Sequence, residues 1–253
     1  IVSIGGDGSF RGLVELAKQG ISVVGVPATI DNDIVCTDYT IGYDTAANTA
    51  VEAIDRLRDT MQSHERCSVV EVMGRNAGHL ALYVGLATGA TAVLVPEKPV
   101  DFDRDVIDRI RQARLAGNTH FMIIVAEGVE GGAYSIGKVI EEATALDTRV
   151  TVLGHIQRGG SPSSRDRITA TYMGYEAVRL LAEGKTCQHV AEGRLDRRER
   201  TRQRRGGLLC RSTGDAEIVL DHLDGVDDGT ERHVLDRFSG DLDGITQHAG
   251  IVD

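Results

Sequence analysis

Residues 67–96 read CSVVEVMGRNAGHLALYVGLATGATAVLVP, and they predict a strand, a helix and a second strand in that order. The first seven residues and the last six are short runs with the composition of strands. Between them, NAGHLALYVGLATG has apolar residues three and four positions apart and ends at a glycine, as helices commonly do. The stretch therefore predicts a β-α-β unit with parallel strands.

The same alternation extends over roughly the first 190 residues. Further strand-like runs, IVSI, ISVVGV, FMIIVAEGV and RVTVLGH, are separated by segments of helical periodicity. This pattern predicts an α/β fold made of two three-layer α/β/α, Rossmann-like units with mainly parallel sheets. Because ligands of such folds gather at the carboxyl ends of strands, we expect functional residues there.

Composition limits the classes of function. A chain of 253 residues with 41% apolar residues can bury a substantial core, and its net charge of −10 argues against nucleic-acid or membrane binding. Its four cysteines are widely spaced and include no CxxC pair, which favours neither zinc nor a disulfide framework. No apolar run approaches the roughly 18 residues of a membrane-spanning helix. We expect a soluble, cytoplasmic protein.

The character of the sequence changes after about residue 190. Seven arginines lie between Arg194 and Arg205, and residues 213–253 hold eleven acids but two arginines. This composition predicts a solvated or poorly ordered segment, with an interaction tail as the alternative. We treat residues 191–253 as a tail of uncertain structure.

The motif SIGGDGS, residues 3–9, combines a strand, a glycine-rich turn and a helix start. Glycines allow close approach of a ligand to the backbone, and the first N–H groups of a helix suit phosphate oxygens. Asp7 is then a candidate to hold a divalent metal on the same phosphates. A turn that merely caps a helix has the same appearance.

The motif TIDND, residues 29–33, directly follows a predicted strand. Asp31 and Asp33 point the same way if the segment is extended, and a like charge tends to raise the pKa of one of them. The carboxylate with the raised pKa suits general-base activation of a hydroxyl group. An Asx turn with Asn32 is the structural alternative.

Charged residues follow three further strands. Arg75 lies in EVMGRNAG, Glu127 ends FMIIVAEGV, and His155 and Arg158 lie in GHIQRGGSP. Arginine suits bidentate contact with phosphate, and glutamate accepts hydrogen bonds from sugar hydroxyls. Singly, each also fits a salt bridge, a structural histidine or a helix start. Together with the acids and the glycine turn, they are the parts of a phosphoryl-transfer site.

With GGDGS, TIDND, VVEVMGR, AEGV and TRVTVLGHIQRGGSP in this order, the chain resembles the bacterial ATP-dependent 6-phosphofructokinases from Ile1 to about Gly184. The resemblance implies transfer of the γ-phosphoryl group of MgATP to the 1-hydroxyl of fructose 6-phosphate, the committed step of glycolysis. It also implies an active site in a cleft between two domains. Residues 1–42 with 155–190 would form part of the larger, nucleotide-binding domain, and residues 43–154 the smaller, fructose 6-phosphate-binding domain.

The resemblance also implies residue roles. Asp31 would be the base, supported by Thr29 and Asp33, and Arg75 would stabilise charge on the transferring group. Asp7 would organise Mg²⁺ beside the nucleotide phosphates, together with Gly6, Gly8 and Ser9. The sugar phosphate would contact Ile30, Met73, Gly74, Glu127, His155 and Arg158. Arg66 and Arg149 would reach the sugar phosphate of a neighbouring subunit, which implies a homo-oligomer, in this family typically a tetramer.

Two small residues bear on the phosphate donor. Pyrophosphate-dependent relatives typically carry Asp at the position of Gly8 and Lys at that of Ala28, so the resemblance favours ATP. A pyrophosphate-dependent enzyme and a noncatalytic sugar-phosphate-binding fragment are the alternatives. The family's N-terminal segment precedes the residue matching Ile1, and its closing strand and helix are not recognisable after about residue 190. We therefore expect an N-terminally truncated member with an atypical C-terminal tail.

Overall fold

A computed structural model describes residues 1–34, 37–62, 66–186, 188–191 and 217–220. Its strands are Val2–Gly5 (β1), Val24–Pro27 (β2), Cys67–Val72 (β3), Ala92–Leu94 (β4), Phe121–Ala126 (β5), Thr148–Val152 (β6), Gln188–Ala191 (β7) and Glu217–Leu220 (β8). Its α-helices are Asp7–Lys18 (α1), Tyr43–Gln62 (α2), His79–Ala87 (α3), Asp108–Leu115 (α4), Gly132–Thr144 (α5) and Ser164–Ala182 (α6). A π-helical turn, Asp103–Ile107, leads into α4, and a 3-10 helix, Gly154–Arg158, follows β6.

The described strands form two sheets of four strands. The first sheet has the order β1-β2-β7-β8, and the second has the order β4-β5-β3-β6. Every pairing between these strands is parallel. The predicted α/β class with mainly parallel sheets is confirmed. We call the first sheet with α1 and α6 the first lobe, and the second sheet with α2 to α5 the second lobe.

The core of the second lobe surrounds its two central strands. All six residues of β5, FMIIVA, are buried, as expected for a strand covered by helices on both faces. The apolar stripe of α2, which includes Ala46, Ala50 and Ile54, packs into the same core. Cys67, at the start of β3, is fully buried, and this burial raises the pKa of its thiol to about 12.

The first lobe is held together by a smaller cluster. Its buried members are Val24, Val26, Met173, Ala177, Leu180 and Val190, contributed by β2, α6 and β7. On α1, Phe10 and Leu13 pack close to Gly25 of β2. The start of α6 is capped by Ser163, whose Oγ accepts a hydrogen bond of 3.2 Å from the N–H of Asp166. The domain boundaries given above remain a prediction.

The structure differs from the sequence analysis in three elements. Strands β7 and β8 were not predicted, because they border or lie within the charged segment after about residue 190, whose composition indicates a tail. Residues 101–117, DFDRDVIDRIRQARLAG, have the periodicity of a single helix, whereas the structure has a π-helical turn before α4. The rest of the predicted tail, apart from Ala191 and β8, lies outside the described residues. No helix within the described part of the chain has the length and apolarity to span a membrane.

Candidate active site

Apart from Arg66 and Arg149, the predicted site residues lie in segments that follow the carboxyl ends of strands. Residues 6–9 follow β1, residues 28–33 follow β2, residues 73–75 follow β3, Glu127 follows β5, and the 3-10 helix follows β6. The first two segments belong to the first lobe. The segments after β3 and β5 belong to the second lobe, so the site draws on both lobes.

The glycine-rich turn, residues 6–9, lies against the turn formed by residues 28–33, which we call the aspartate turn. The N–H of Ala28 donates a hydrogen bond of 3.0 Å to the carbonyl of Gly5, which holds the ends of β1 and β2 together. A Cβ built on Gly6 would lie 3.4 Å from the Cβ of Thr29, so the two turns are in contact. Asp7 lies in the first turn of α1 with its side chain 47% exposed, and it pairs at 2.8 Å with Arg11.

The aspartate turn is stabilised from within. The Oγ1 of Thr29 accepts a hydrogen bond of 3.2 Å from the N–H of Asp31. Asn32 adopts a φ of 51°, a left-handed conformation that asparagine tolerates better than most residues. Its side-chain amide donates to the carbonyl of Asp38 at 3.2 Å. Asn32 therefore shapes the turn through its backbone conformation and its bond to Asp38, whereas the N–H of Asp31 bonds to the hydroxyl of Thr29, two residues before it, as in an ST turn.

Several charged groups act on the carboxyl group of Asp31. Burial raises its pKa above the ordinary value, and the negative charge of Asp33 raises it further. A hydrogen bond from Thr29 and the charge of Arg75 oppose this shift, and Glu127 adds to it. Since Arg75 and Glu127 act on the same carboxyl group, residues from β2, β3 and β5 meet at one place. A carboxylate with a raised pKa accepts a proton more readily at neutral pH.

Glu127 fixes the backbone that carries Arg75. Its Oε1 accepts hydrogen bonds from the N–H groups of Gly74 at 3.2 Å and Arg75 at 2.7 Å. Arg75 itself has a φ of 55°, unusual for a residue with a side chain and typical of functional sites. Gly74 has a φ of 136°, and a Cβ there would lie 2.6 Å from the carbonyl of Ala77. Glycine is therefore required before Arg75.

Gln157 connects His155 and Arg158 to the end of β3, and the sequence analysis missed it. It is 1% exposed, and its Oε1 accepts a hydrogen bond of 2.8 Å from the N–H of Met73. Because Met73 offers a donor, the amide oxygen of Gln157 must face it. Among the described residues, none hydrogen-bonds to its Nε2. The available signal was its position inside HIQR, between two residues already assigned to the site.

Arg66 and Arg149 lie at the opposite end of the second sheet, where its strands begin. They stand at the amino ends of β3 and β6, and both pair with Asp147, Arg66 at 2.6 Å and Arg149 at 3.1 Å. The six residues of β3 span roughly 20 Å, at about 3.3 Å per residue. These arginines are therefore remote from Arg75 of the same chain.

Ile30 is half-buried, and its side chain packs against the core of the second lobe. The structure thus shows an apolar contact for this residue and leaves its predicted substrate contact untested. The same holds for Met73, which is buried at the end of β3.

The residues near the glycine turn suit a magnesium ion bound largely by phosphate. Within the described residues, no three His, Cys, Asp or Glu side chains are grouped to hold a metal. Mg²⁺ commonly binds to one or two carboxylates together with substrate phosphates and water. Asp7 is half-exposed beside the N-terminus of α1, and its pairing with Arg11 is a surface contact of little strength. A single carboxylate of this kind fits such a site.

Comparisons with known proteins agree in their outcome. Residues 1–181 match the family model described as phosphofructokinase. The chain is 60% identical over 197 residues to the ATP-dependent 6-phosphofructokinase of Bacillus cytotoxicus, covering 77% of this chain and 61% of that protein.

Solved structures give the same family. A phosphofructokinase from Saccharomyces cerevisiae matches with a TM-score of 0.66 and 37% identity, over 72% of this chain and 28% of the yeast chain. A pyrophosphate-dependent phosphofructokinase from Nitrosospira multiformis matches with a TM-score of 0.64 and 24% identity, over 74% of this chain and 53% of that one. The second likeness extends to the fold alone. The chain thus spans about 61% of the length of the curated relative it matches.

Proposed function

The chain belongs to the phosphofructokinase family, and we propose that it takes part in transferring the γ-phosphoryl group of ATP to the 1-hydroxyl of fructose 6-phosphate. The products are fructose 1,6-bisphosphate and ADP, and the reaction is the committed step of glycolysis. One observation carries the proposal: Asp31, whose pKa is raised, lies within the electrostatic influence of both Arg75 and Glu127.

The chemistry assigned to Asp31 follows from its environment. Its carboxylate takes the proton of the 1-hydroxyl as the hydroxyl oxygen forms a bond to the γ-phosphorus. The bond between that phosphorus and the bridging oxygen breaks, and ADP leaves. Arg75 stabilises negative charge on the transferring group, because a guanidinium remains charged at every relevant pH. Thr29 and Asp33 support Asp31 through a hydrogen bond and a neighbouring charge.

The sugar phosphate is assigned to the second lobe and the 3-10 helix. Glu127 and Gly74 offer a carboxylate and a close backbone approach at the end of β5 and β3. His155 and Arg158 are exposed on the 3-10 helix, which Gln157 joins to Met73. Ile30 completes the predicted set.

The nucleotide phosphates are assigned to the glycine turn. Gly6, Gly8 and Ser9 lie at the N-terminus of α1, where backbone N–H groups favour anions. Asp7 would hold Mg²⁺, which when bound neutralises phosphate charge.

Small residues at two positions support ATP as the donor. A Cβ built on Gly8 meets no atom within 4 Å, so the surface there is open, and Ala28, whose N–H bonds to the carbonyl of Gly5, has a small side chain. The 60% identical Bacillus protein is named ATP-dependent, whereas the pyrophosphate-dependent relative is 24% identical. ATP is therefore preferred over pyrophosphate.

The remote arginines support a shared active site in a homo-oligomer, with a tetramer expected. Arg66 and Arg149 cannot reach the site of their own chain across the length of β3, yet they present two cations beside one another. A neighbouring copy would bring them to its partner's sugar phosphate. We assign the protein to the cytoplasm on the basis of this metabolic role.

Replacement of Asp31 by Ser tests the proposed reaction. We expect turnover with ATP and fructose 6-phosphate to fall about 10²- to 10⁴-fold, as for loss of a general base. Asp38→Ser, which changes another acid of the same loop, is the matched control and should retain turnover. Turnover by Asp31→Ser within threefold of the original chain contradicts the proposal. If calorimetry shows that the unmodified chain binds fructose 6-phosphate but does not turn it over, the noncatalytic alternative is supported instead. Higher turnover with pyrophosphate than with ATP supports the pyrophosphate-dependent alternative.

Mixing two inactive variants tests the shared site. Asp31→Ser and the double variant Arg66→Ala with Arg149→Ala should each lack activity, because one lacks the base and the other the neighbouring cations. A mixed oligomer contains some sites with neither defect, so refolding the two together should restore part of the turnover. If the mixture stays inactive while sedimentation shows mixed oligomers, the arginines do not act between subunits.

A further inference from the structure

Asp166 is a buried acid outside the motifs assigned above. It lies in the first turn of α6 and is 3% exposed. Its Oδ1 accepts hydrogen bonds from the hydroxyl of Tyr39 at 2.6 Å and the N–H of Gly42 at 2.8 Å. Its Oδ2 accepts from the N–H of Thr45 at 2.9 Å and from the Thr45 hydroxyl. Four donors therefore surround one buried carboxylate.

These donors keep Asp166 ionised. Burial alone would raise its pKa, but hydrogen bonds from Thr45, Tyr39 and Gly42 lower it below the ordinary value. Removing any single buried partner from such a network leaves other buried polar groups without a hydrogen bond, which is unfavourable. The arrangement is thus rigid as well as charged.

The segment held by Asp166 lies along the aspartate turn. Tyr39 and Gly42 are the two ends of a four-residue stretch, and both are fixed on Asp166. Between them, the fully buried Thr40 places its Oγ1 2.7 Å from the carbonyl of Thr29 and 3.0 Å from Oδ1 of Asn32. Thr29 and Asn32 lie on either side of Ile30 and Asp31 in the chain. Contacts that fix Thr29 and Asn32 therefore also fix the position of Asp31.

We propose that Asp166 is a positioning residue for Asp31: it anchors the 39–42 segment, and Thr40 of this segment fixes the turn that presents the base. The proposal deepens the proposed function, on which it rests for the role of Asp31. Asp166 does not contact the reacting atoms. It acts through two layers of hydrogen bonds.

Asp166 also joins the two lobes. It belongs to α6 of the first lobe, whereas Thr45 lies in the first turns of α2, whose apolar stripe is part of the second-lobe core. The same carboxylate that fixes the aspartate turn therefore ties it to the lobe that carries Arg75 and Glu127. The charges that act on Asp31 from across the site depend on this connection.

Asp166→Asn tests the role with little change in shape. An amide nitrogen cannot accept a hydrogen bond. Depending on how the amide is oriented, either the donors of Thr45 or those of Tyr39 and Gly42 therefore lose their acceptor. We expect water to enter the aspartate turn, so that the carboxyl of Asp31 titrates at lower pH in ¹³C NMR, with Asp33, Arg75 and Glu127 unchanged as its charged neighbours. Amide hydrogen exchange should become faster across residues 28–33. Turnover should fall by about 10²-fold, as for a misplaced catalytic group, with a smaller change in KM for fructose 6-phosphate.

Glu176→Gln is the matched control. Glu176 is a buried acid on the same helix, 6% exposed, but it pairs with Arg179 and not with the 39–42 segment. Its variant should leave the titration of Asp31 and exchange over residues 28–33 as they are. If Asp166→Asn fails to fold, Tyr39→Phe removes one of the four donors and should give smaller changes of the same kind.

The outcomes separate the proposal from the proposed function. Unchanged Asp31 titration and unchanged exchange at residues 28–33 in a folded Asp166→Asn or Tyr39→Phe chain overturn the positioning role, whatever the turnover. Equal effects from Glu176→Gln overturn it as well, because they would reflect general loosening of α6. An unmodified chain without turnover counts against the proposed function, while the titration and exchange measurements still decide the role of Asp166.

Discussion

The two lobes bury their apolar residues to different extents. Among the described residues, the second-lobe cluster has 30 buried members, whereas the first-lobe cluster has 6. Both lobes expose some large apolar side chains, such as Tyr175 on α6 and Tyr134 on α5, so the difference lies in the size of the buried clusters. Since buried apolar area is the main source of folding free energy, the second lobe should be much the more stable body.

The proposed site therefore has one part supported by the larger core and another supported by the smaller one. Gly74, Arg75 and Glu127 directly follow the central strands of the second lobe, while the glycine turn and Asp31 follow β1 and β2 of the first. The proposed sugar-phosphate residues are therefore supported by a large core. The proposed base and nucleotide turn depend more on specific hydrogen bonds, including those of Asp166.

Amide hydrogen exchange should separate the lobes most clearly. We expect the N–H groups of β5 to exchange about 10³-fold more slowly than those of β1, because β5 opens only with the second-lobe core whereas β1 is at a sheet edge. Mass spectrometry of peptides from both strands measures this. Equal protection of the two strands would mean that the lobes unfold as one cooperative unit.

Matched core truncations should differ in the same direction. Ile123 of β5 and Leu180 of α6 are both fully buried, and Leu115 of α4 is 90% exposed. We expect Ile123→Ala to lower the free energy of unfolding by about 3–5 kcal/mol and Leu180→Ala by about 2, since the smaller cluster relaxes more easily around a cavity. Leu115→Ala, the control, should stay within about 0.5 kcal/mol. Urea unfolding gives these values, and a larger loss for Leu180→Ala would reverse the ranking of the cores.

The connection between the lobes should depend on pH through Asp166. Its pKa in the folded chain is lowered, so its contribution is present at neutral pH and is lost as pH falls through the folded-state pKa. At pH 7 we expect Asp166→Asn to lower the free energy of unfolding by about 1–3 kcal/mol. The difference between variant and original should shrink below about pH 4, near the ordinary pKa of aspartate. A difference that stays constant from pH 7 to pH 3 would argue against an ionised Asp166.

The smallest effect concerns a charge that reaches from one lobe to the other. Glu127 raises the pKa of Asp31, so Glu127→Gln should lower that pKa while keeping an oxygen for the N–H groups of Gly74 and Arg75. ¹³C NMR titration of the Asp31 carboxyl measures the shift. Asp147→Asn, at the opposite edge of the second sheet, should leave it unchanged. If Glu127→Gln left the pKa of Asp31 unchanged while Asp147→Asn shifted it, the carboxyl groups of Glu127 and Asp31 would not be neighbours.

Much of the fold was accessible from local sequence because its elements are strongly periodic. Runs such as FMIIVA, buried along their whole length, and helices that end at glycine have signals that need no tertiary information. Strands β7 and β8 were missed because they border or lie within a charged segment whose composition indicates a tail. They acquire their structure by pairing with neighbours in the first sheet.

The site was predictable where chemistry lies in the motif itself. Asp31, Arg75 and Glu127 were chosen for their type and their place after strands, and the structure brings their charges together. Gln157 and Asp166 were not chosen, because a single sequence does not tell which polar side chains become buried. Their importance comes from partners 84 and 121 to 127 residues away in the chain.

The buried thiol of Cys67 can report when the second lobe opens. A side chain with no solvent exposure and a pKa of about 12 is almost entirely protonated at neutral pH, and alkylating reagents attack thiolates. Modification of this sulfur therefore marks the moments when β3 detaches from its neighbours. Timed labelling followed by peptide mass analysis would count those openings in the working protein, without any introduced probe.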